Sequence, residues 1–215
     1  MKYTTIIFDL DGTLLNTLAD LAAATNHALA EHKLPQRTTD EVRLFVGNGI
    51  RKLIERAVPA DTPAELQEEV FASFNRYYKQ HCADSTRPYE GVPQLLQQLR
   101  AAGCRTAIVS NKADYGVQAL AKQYFDGQLD AACGERAGIA KKPAPDMLLA
   151  IMQQLHAEPA STIYIGDSDT DIATASNAGV ACIGACWGFR GRAFLEAHGA
   201  KLLAENVSDI WELIK

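Results

Sequence analysis

From Arg105 onward short β-rich runs alternate with helical patterns, and this alternation restricts the possible folds more than any other feature of the chain. The strand-like runs cover Arg105 to Val109, Leu129 to Cys133, Thr162 to Ile165 and Val180 to Ile183, and an earlier one covers Thr4 to Phe8. Three of the five are almost continuously apolar, as strands covered by helices on both faces must be. Helical patterns fall at Val92 to Ala102, Tyr115 to Gln123, Pro145 to Leu155 and Thr170 to Ala178. The order predicts an α/β fold with a doubly wound, Rossmann-like parallel-sheet core. At 215 residues and 47% hydrophobic content the chain has material for such a core.

The stretch from Thr17 to Ser85 breaks the alternation, with successive helix signals and no convincing strand. Leu18, Leu21, Ala22, Thr25, Ala28 and Leu29 recur at helical spacing, and Thr17 with Asp20 is expected to cap that helix. A second helix is expected to start at Thr62-Pro63-Ala64-Glu65, with Thr62 as cap and Pro63 as its first residue. Pro88 and Gly91-Val92-Pro93 mark the return to alternation. The expected organisation is a core of residues 1–14 and 86–215 with a small helical domain, 15–85, inserted after the first strand.

Charge narrows the partners. A net charge of −5 without any Lys/Arg block argues against nucleic acid and anionic membranes, both of which demand a concentrated basic patch. No stretch approaches the roughly 18 apolar residues of a membrane span, and a cytoplasmic protein acting on a small ligand is expected. The five cysteines, Cys82, Cys104, Cys133, Cys182 and Cys186, are scattered, without a C-x-x-C pair, and read as reduced apolar residues.

Ligands of open α/β sheets bind at the carboxyl ends of the strands, and four such places carry polar residues. Asp9 and Asp11 leave the first strand in Phe8-Asp9-Leu10-Asp11-Gly12-Thr13. Ser110 and Asn111 end a second strand ahead of a helix, where free N–H groups favour an anion. Lys141-Lys142-Pro143-Ala144-Pro145-Asp146 puts cations at the electropositive end of a helix, which is unfavourable unless an anion lies near. Asp167, Asp169 and Asp171 crowd behind Ile165-Gly166, a cluster that repels itself without a cation. Oxygen ligands from separate strand ends suit Mg²⁺. Acids for a metal, a carboxylate free to attack, and a hydroxyl, amide and ammonium for phosphoryl oxygens together meet the needs of phosphoryl transfer. Neither G-x-x-x-x-G-K-[ST] nor G-x-G-x-x-G is present, so an NTPase loop and a dinucleotide fingerprint are both excluded.

Those four places closely resemble, in order, the motifs of the haloacid dehalogenase superfamily: Asp9-Leu-Asp11-Gly-Thr, Ser110-Asn111, Lys142-Pro and Gly166-Asp167-Ser-x-x-Asp171. The resemblance covers essentially the whole chain. It is nearest to the phosphoglycolate phosphatase group, through Val46-Gly47-Asn48-Gly49 and Cys186-Trp187-Gly188-Phe189. It implies an Mg²⁺-dependent phosphatase in which Asp9 is the nucleophile and a metal ligand, forming a phosphoaspartate. By the same resemblance Asp11 is the general acid and then base, lending a backbone carbonyl to the metal. Ser110 and Asn111 hold the phosphoryl group, Lys142 neutralises Asp9, Asp167 is the third metal ligand, and Asp171 supports the shell. The helical insert is the family's cap, expected to close over the core and exclude water. Its Gly47 and Asn48 face the substrate, and Arg51, with Arg43 and Lys52, is a candidate for a distal anionic group. Asn16 departs from the aspartate frequent there. Asp11 argues against carbon–halogen cleavage, since true dehalogenases lack that second aspartate. The expected partner is a small phosphorylated metabolite, and the protein a monomer or homodimer. A phosphomutase on the same scaffold and a non-catalytic binder of a phosphorylated ligand are the alternatives.

Overall fold

A computed structural model describes residues Met1–Lys215. The main sheet has six strands in the order β5-β4-β1-β6-β7-β8: β1 (Thr5–Phe8), β4 (Arg105–Ala113), β5 (Ala131–Glu135), β6 (Thr162–Gly166), β7 (Ala181–Ala185) and β8 (Leu202–Ala204). All neighbouring pairs are parallel. A second, two-stranded sheet joins β2 (Leu15–Asn16) to β3 (Arg87–Pro88). The helices in chain order are α1 (Leu18–Glu31), α2 (Thr39–Phe45), α3 (Ile50–Ala57), α4 (Ala64–His81), α5 (Val92–Ala101), α6 (Asp114–Phe125), α7 (Asp146–Gln154), α8 (Asp169–Ala178), α9 (Arg192–Ala197) and α10 (Asp209–Ile214).

The chain divides into two compact units, Met1–Leu15 with Pro88–Lys215 and Asn16–Arg87. In the first unit every residue of β1 and β6 is buried, which is why both read as apolar runs. Ile7, Ala107, Val109 and Tyr164 pack with Met147, Leu148, Ile151 and Ala175 from α7 and α8 into one core cluster. The chain winds outward from β1 to β4 and β5, then crosses back to β6 on the other side of β1. That reversal is a topological switch point, where the loops at the strand ends part and leave a crevice. Asp9 and Asp167 directly follow β1 and β6 there, and Ser110 and Asn111 lie in the second half of β4.

The second unit is helical, and α1 packs against α4 along its apolar face. Both caps expected here are different in the structure. Thr17 occupies the N-cap of α1 but makes no side-chain cap bond. Asp20 instead turns to the returning chain, taking hydrogen bonds from the Ser85 N–H at 2.9 Å, the Thr86 N–H at 2.8 Å and the Thr86 hydroxyl at 2.7 Å. A buried carboxylate favours several fixed donors over one cap bond. Pro63, not Thr62, is the N-cap of α4, so the proline lies one residue outside the helix. The working capping box is Thr38 with Glu41, at the start of α2. No helix is long and apolar enough to cross a membrane.

Candidate active site

Asp9 follows β1 directly, and its N–H still bonds Ile165 O at 2.8 Å, so the β1–β6 ladder fixes the residue's backbone. The chain then turns through Gly12, whose φ of +87° lies in the left-handed region. A side chain there would also place its Cβ 2.4 Å from Asp167 Oδ2. Glycine at this position is thus required twice, for the turn and for the approach of the β6 carboxylate. Gly188 does the same from the other side, since a Cβ on it would lie 2.2 Å from Asp167 Cβ. The next residue donates its N–H to Asp167 Oδ2 at 2.7 Å, from Phe189.

Lys142 lies in the loop before α7, and the helix itself begins only at Asp146. The expectation of lysines at a helix end is therefore corrected: they precede the helix, and the side chain of Lys142 folds inward. Its ammonium is 2.9 Å from Asp9 Oδ1, 2.7 Å from Asp171 Oδ1 and 2.9 Å from the Tyr164 hydroxyl. Neighbouring Lys141 points elsewhere, 3.5 Å from Glu135. Asp171 accepts from the Ser168 N–H at 3.0 Å and the Ser168 hydroxyl at 2.6 Å through its other oxygen, closing a capping box on α8. Both of its oxygens are thereby occupied by the protein.

Carboxylate oxygens of Asp9, Asp167 and Asp171 lie within 4.8 Å of one another, and all three residues are buried. Burial pushes the Asp9 carboxyl up to about 7 despite the opposing Lys142 charge, with Asp171 and Asp11 adding to the rise. Burial, then Asp171 and Asp9, holds Asp167 well above the usual carboxylate range. Burial disfavours the Lys142 ammonium too, but Asp171 and Asp9 outweigh it and raise the lysine above its ordinary value. One lysine against three acids leaves an uncompensated negative centre. The donors are all oxygen, and Asp9 Oδ1, though ion-paired with Lys142, is buried outside hydrogen-bond geometry. This set fits a hard divalent cation such as Mg²⁺ and offers nothing to a soft metal.

On the β4 side, the strand runs on through Ser110 and Asn111 to Ala113, while its register against β5 is interrupted between Val109 and Ala113. The strand thus outruns the expected end at Val109, and neither residue caps α6, whose N-cap is Ala113. Ser110 is buried beside the acids' strand. The Asn111 amide donates to Lys142 O at 3.0 Å, tying the lysine loop to β4. Lys112 reaches across to Asp11, its ammonium 3.0 Å and 3.3 Å from the two carboxylate oxygens. Sequence reasoning passed over Lys112 and Tyr164. A cation directly after Ser-Asn and a lone phenol within Ile163-Tyr164-Ile165 were the available signals.

Asp9, Asp11, Ser110, Asn111, Lys142, Asp167 and Asp171 all belong to the first unit. Gly47, Asn48 and Arg51 belong to the helical unit, at and just after the turn between α2 and α3. There Asn48 accepts from Arg56 at 2.8 Å, Arg51 pairs with Glu68 and lies over the Phe71 ring, Lys52 pairs with Glu55, and Arg43 pairs with Asp40.

The profile of the haloacid dehalogenase-like hydrolases matches residues 6–185. A phosphoglycolate phosphatase of Haemophilus influenzae is 36% identical over 196 residues, 87% of this chain and 88% of that one. One from Chromobacterium violaceum is 33% identical over 216 residues, 98% of this chain and 96% of its own. Among solved structures, a candidate phosphoglycolate phosphatase from Lactobacillus delbrueckii subsp. bulgaricus superposes with a TM-score of 0.95 at 34% identity, covering 100% of this chain and 99% of that one. With the parallel sheet, the strand-end acids and likeness along nearly the whole sequence in agreement, the chain belongs to the haloacid dehalogenase-like hydrolases.

Proposed function

We propose that this hydrolase is an Mg²⁺-dependent phosphatase that cleaves a small phosphomonoester of the phosphoglycolate kind through a phosphoaspartate on Asp9. The observation that carries the reading is the buried constellation of Asp9, Lys142, Asp171 and Asp167 at the carboxyl ends of β1 and β6. Asp9, Asp167 and the Asp11 carbonyl would hold the cation, which screens phosphoryl oxygens and the attacking carboxylate from one another. Asp171 stands behind them, because its oxygens already serve Lys142 and Ser168.

An Asp9 oxygen attacks phosphorus as the bond to the leaving oxygen breaks, and the Asp11 carboxyl delivers its proton to that oxygen. Ser110 and Asn111 border the phosphoryl group, while Lys142 offsets the charge shared by Asp9 and the transferred group. Asp11, now a carboxylate, takes a proton from water as the water oxygen attacks phosphorus. The bond to Asp9 breaks, and the products are an alcohol and orthophosphate. The glycolate ester is favoured as substrate by the names of the relatives, and Gly47, Asn48 and Arg51 of the helical unit are the residues proposed to read it.

The test is orthophosphate release from phosphoglycolate, sugar phosphates, nucleotides and pyrophosphate, with and without Mg²⁺. Mg²⁺-dependent release with phosphoglycolate preferred is expected, and Asp9→Asn should abolish it while the fold persists. Undiminished release in excess chelator, or in Asp9→Asn, would refute the mechanism. An isomerised sugar phosphate without free phosphate would make the protein a mutase.

A further inference from the structure

The proposed reaction leaves one buried cation unused. Lys112 is an ammonium whose side chain is only 2% exposed, facing Asp11 at 14%. Placing such a cation out of water costs several kcal/mol, and it persists only where a partner is held against it. Both Asp11 oxygens lie within 3.3 Å of the ammonium, so the contact constrains the carboxyl plane as well as its position. Asp11 stands in the turn after β1 and not in its ladder, with its backbone in an isolated bridge to Leu15, and the Lys112 ammonium is paired with its side chain.

The path of the lysine is built into its surroundings. Its stem runs along α6 at Gly116, where a Cβ would lie 3.4 Å from Lys112 Cε and 3.6 Å from Cδ and Cγ. Its backbone is pressed by β5, for a Cβ on Gly134 would be 2.6 Å from Lys112 O. The Gly134 N–H in turn bonds Asp114 Oδ1 at 2.8 Å, fastening the start of α6 to β5. The stem is thus guided along α6 to the Asp11 carboxyl.

We propose that Lys112 is a positioning residue for Asp11, fixing the carboxyl at the leaving-group oxygen so that proton delivery and bond breaking coincide. The proposal rests on the phosphatase reading above and predicts a dependence on the leaving group. An alkoxide leaves only with a proton, whereas p-nitrophenolate leaves without one. General acid–base catalysis contributes about 10²- to 10⁴-fold, and loss of orientation should remove about 10- to 100-fold of it.

The experiment compares the full-length protein with Lys112→Met and Lys112→Arg in Mg²⁺. Turnover is measured on phosphoglycolate, and p-nitrophenolate release is followed in a single turnover with enzyme in excess, so that only the first transfer is read. Lys112→Met is expected to lower kcat on phosphoglycolate by that factor with KM unchanged, to leave the single-turnover rate near wild type, and to be partly rescued in Lys112→Arg. Equal slowing of both reactions would mean that Lys112 merely supports the strand, and wild-type turnover of phosphoglycolate in Lys112→Met would also overturn the proposal. If Lys112→Met does not fold, Lys112→Gln, which removes the charge and keeps a polar end, must show the same leaving-group dependence. A wild-type protein inert towards every ester would defeat the phosphatase reading itself, and this inference with it.

Discussion

Replacing Lys142 by methionine keeps the length of the stem and removes the charge. At an effective dielectric constant of about 20, an ion pair at 2.7 Å or 2.9 Å carries roughly 6 kcal/mol of gross attraction. In the intact protein desolvation offsets much of it. The variant retains the desolvated acids and loses the cation, and breaking a buried pair in this one-sided way costs about 3–5 kcal/mol. For a chain of 215 residues each kcal/mol moves the melting point by about 2–4 °C. Lys142→Met should therefore melt about 6–20 °C below wild type at pH 8 in chelator. The gap should narrow at pH 5, because the orphaned acids can then take protons. Circular dichroism melts at the two pH values measure this. A melting point at pH 8 within a degree or two of wild type would refute the view that Lys142 is the counterion of the acid cluster.

Further outcomes can be checked in the same way. Because burial raises the Asp9 carboxyl from 3.8 to about 7, the metal-free native state holds a proton that the unfolded chain has already lost between those values. Stability should therefore be greatest below about pH 4 as regards this group and fall as pH rises through 7. Mg²⁺ binds the deprotonated acids, so it should raise the melting point more at pH 8 than at pH 5, and an equal rise at both would remove the acids from its site. Asp20→Ala strips the acceptor from the Ser85 and Thr86 donors and should cost about 3 kcal/mol in denaturant titration; an unchanged midpoint would show that water replaces it. Gly188→Ala forces a Cβ to within 2.5 Å of Gly12 O and against Asp167, and should weaken Mg²⁺ binding about 10- to 100-fold by calorimetry.

The core was legible where burial is complete. β1 and β6 are covered on both faces, so their apolar runs announce strands without reference to anything distant. The helices α5, α7 and α8 begin and end within a residue of their predicted spans, since their apolar periodicity is local. β8 has three residues at the sheet edge, and β2 and β3 have two each, which is too little pattern for any period to register. Cap chemistry misled because Thr17-x-x-Asp20, Thr62-Pro63 and Thr38-x-x-Glu41 look alike in the sequence. Which one closes depends on competing donors, and for Asp20 those donors lie 65 and 66 positions away.

The same division runs through the site. Residue types and strand-end positions pointed to Asp9, Asp11, Ser110, Asn111, the Lys141-Lys142 pair and the acids Asp167, Asp169 and Asp171 as candidates, because polar groups directly after buried strands have few reasons to be there, and the family resemblance selected Lys142, Asp167 and Asp171 among them. Only the tertiary structure decided the pairings: Lys142 between Asp9 and Asp171, Asn111 on the lysine loop, and Lys112 on Asp11. Those contacts join residues 29 to 133 positions apart, as the numbers of Lys142, Asp171 and Asp9 give directly. They are set by the strand order β4-β1-β6 and by two glycines that let Asp167 close on the turn after β1. A sequence pattern records which groups are costly to bury, and only the packed chain assigns each its partner.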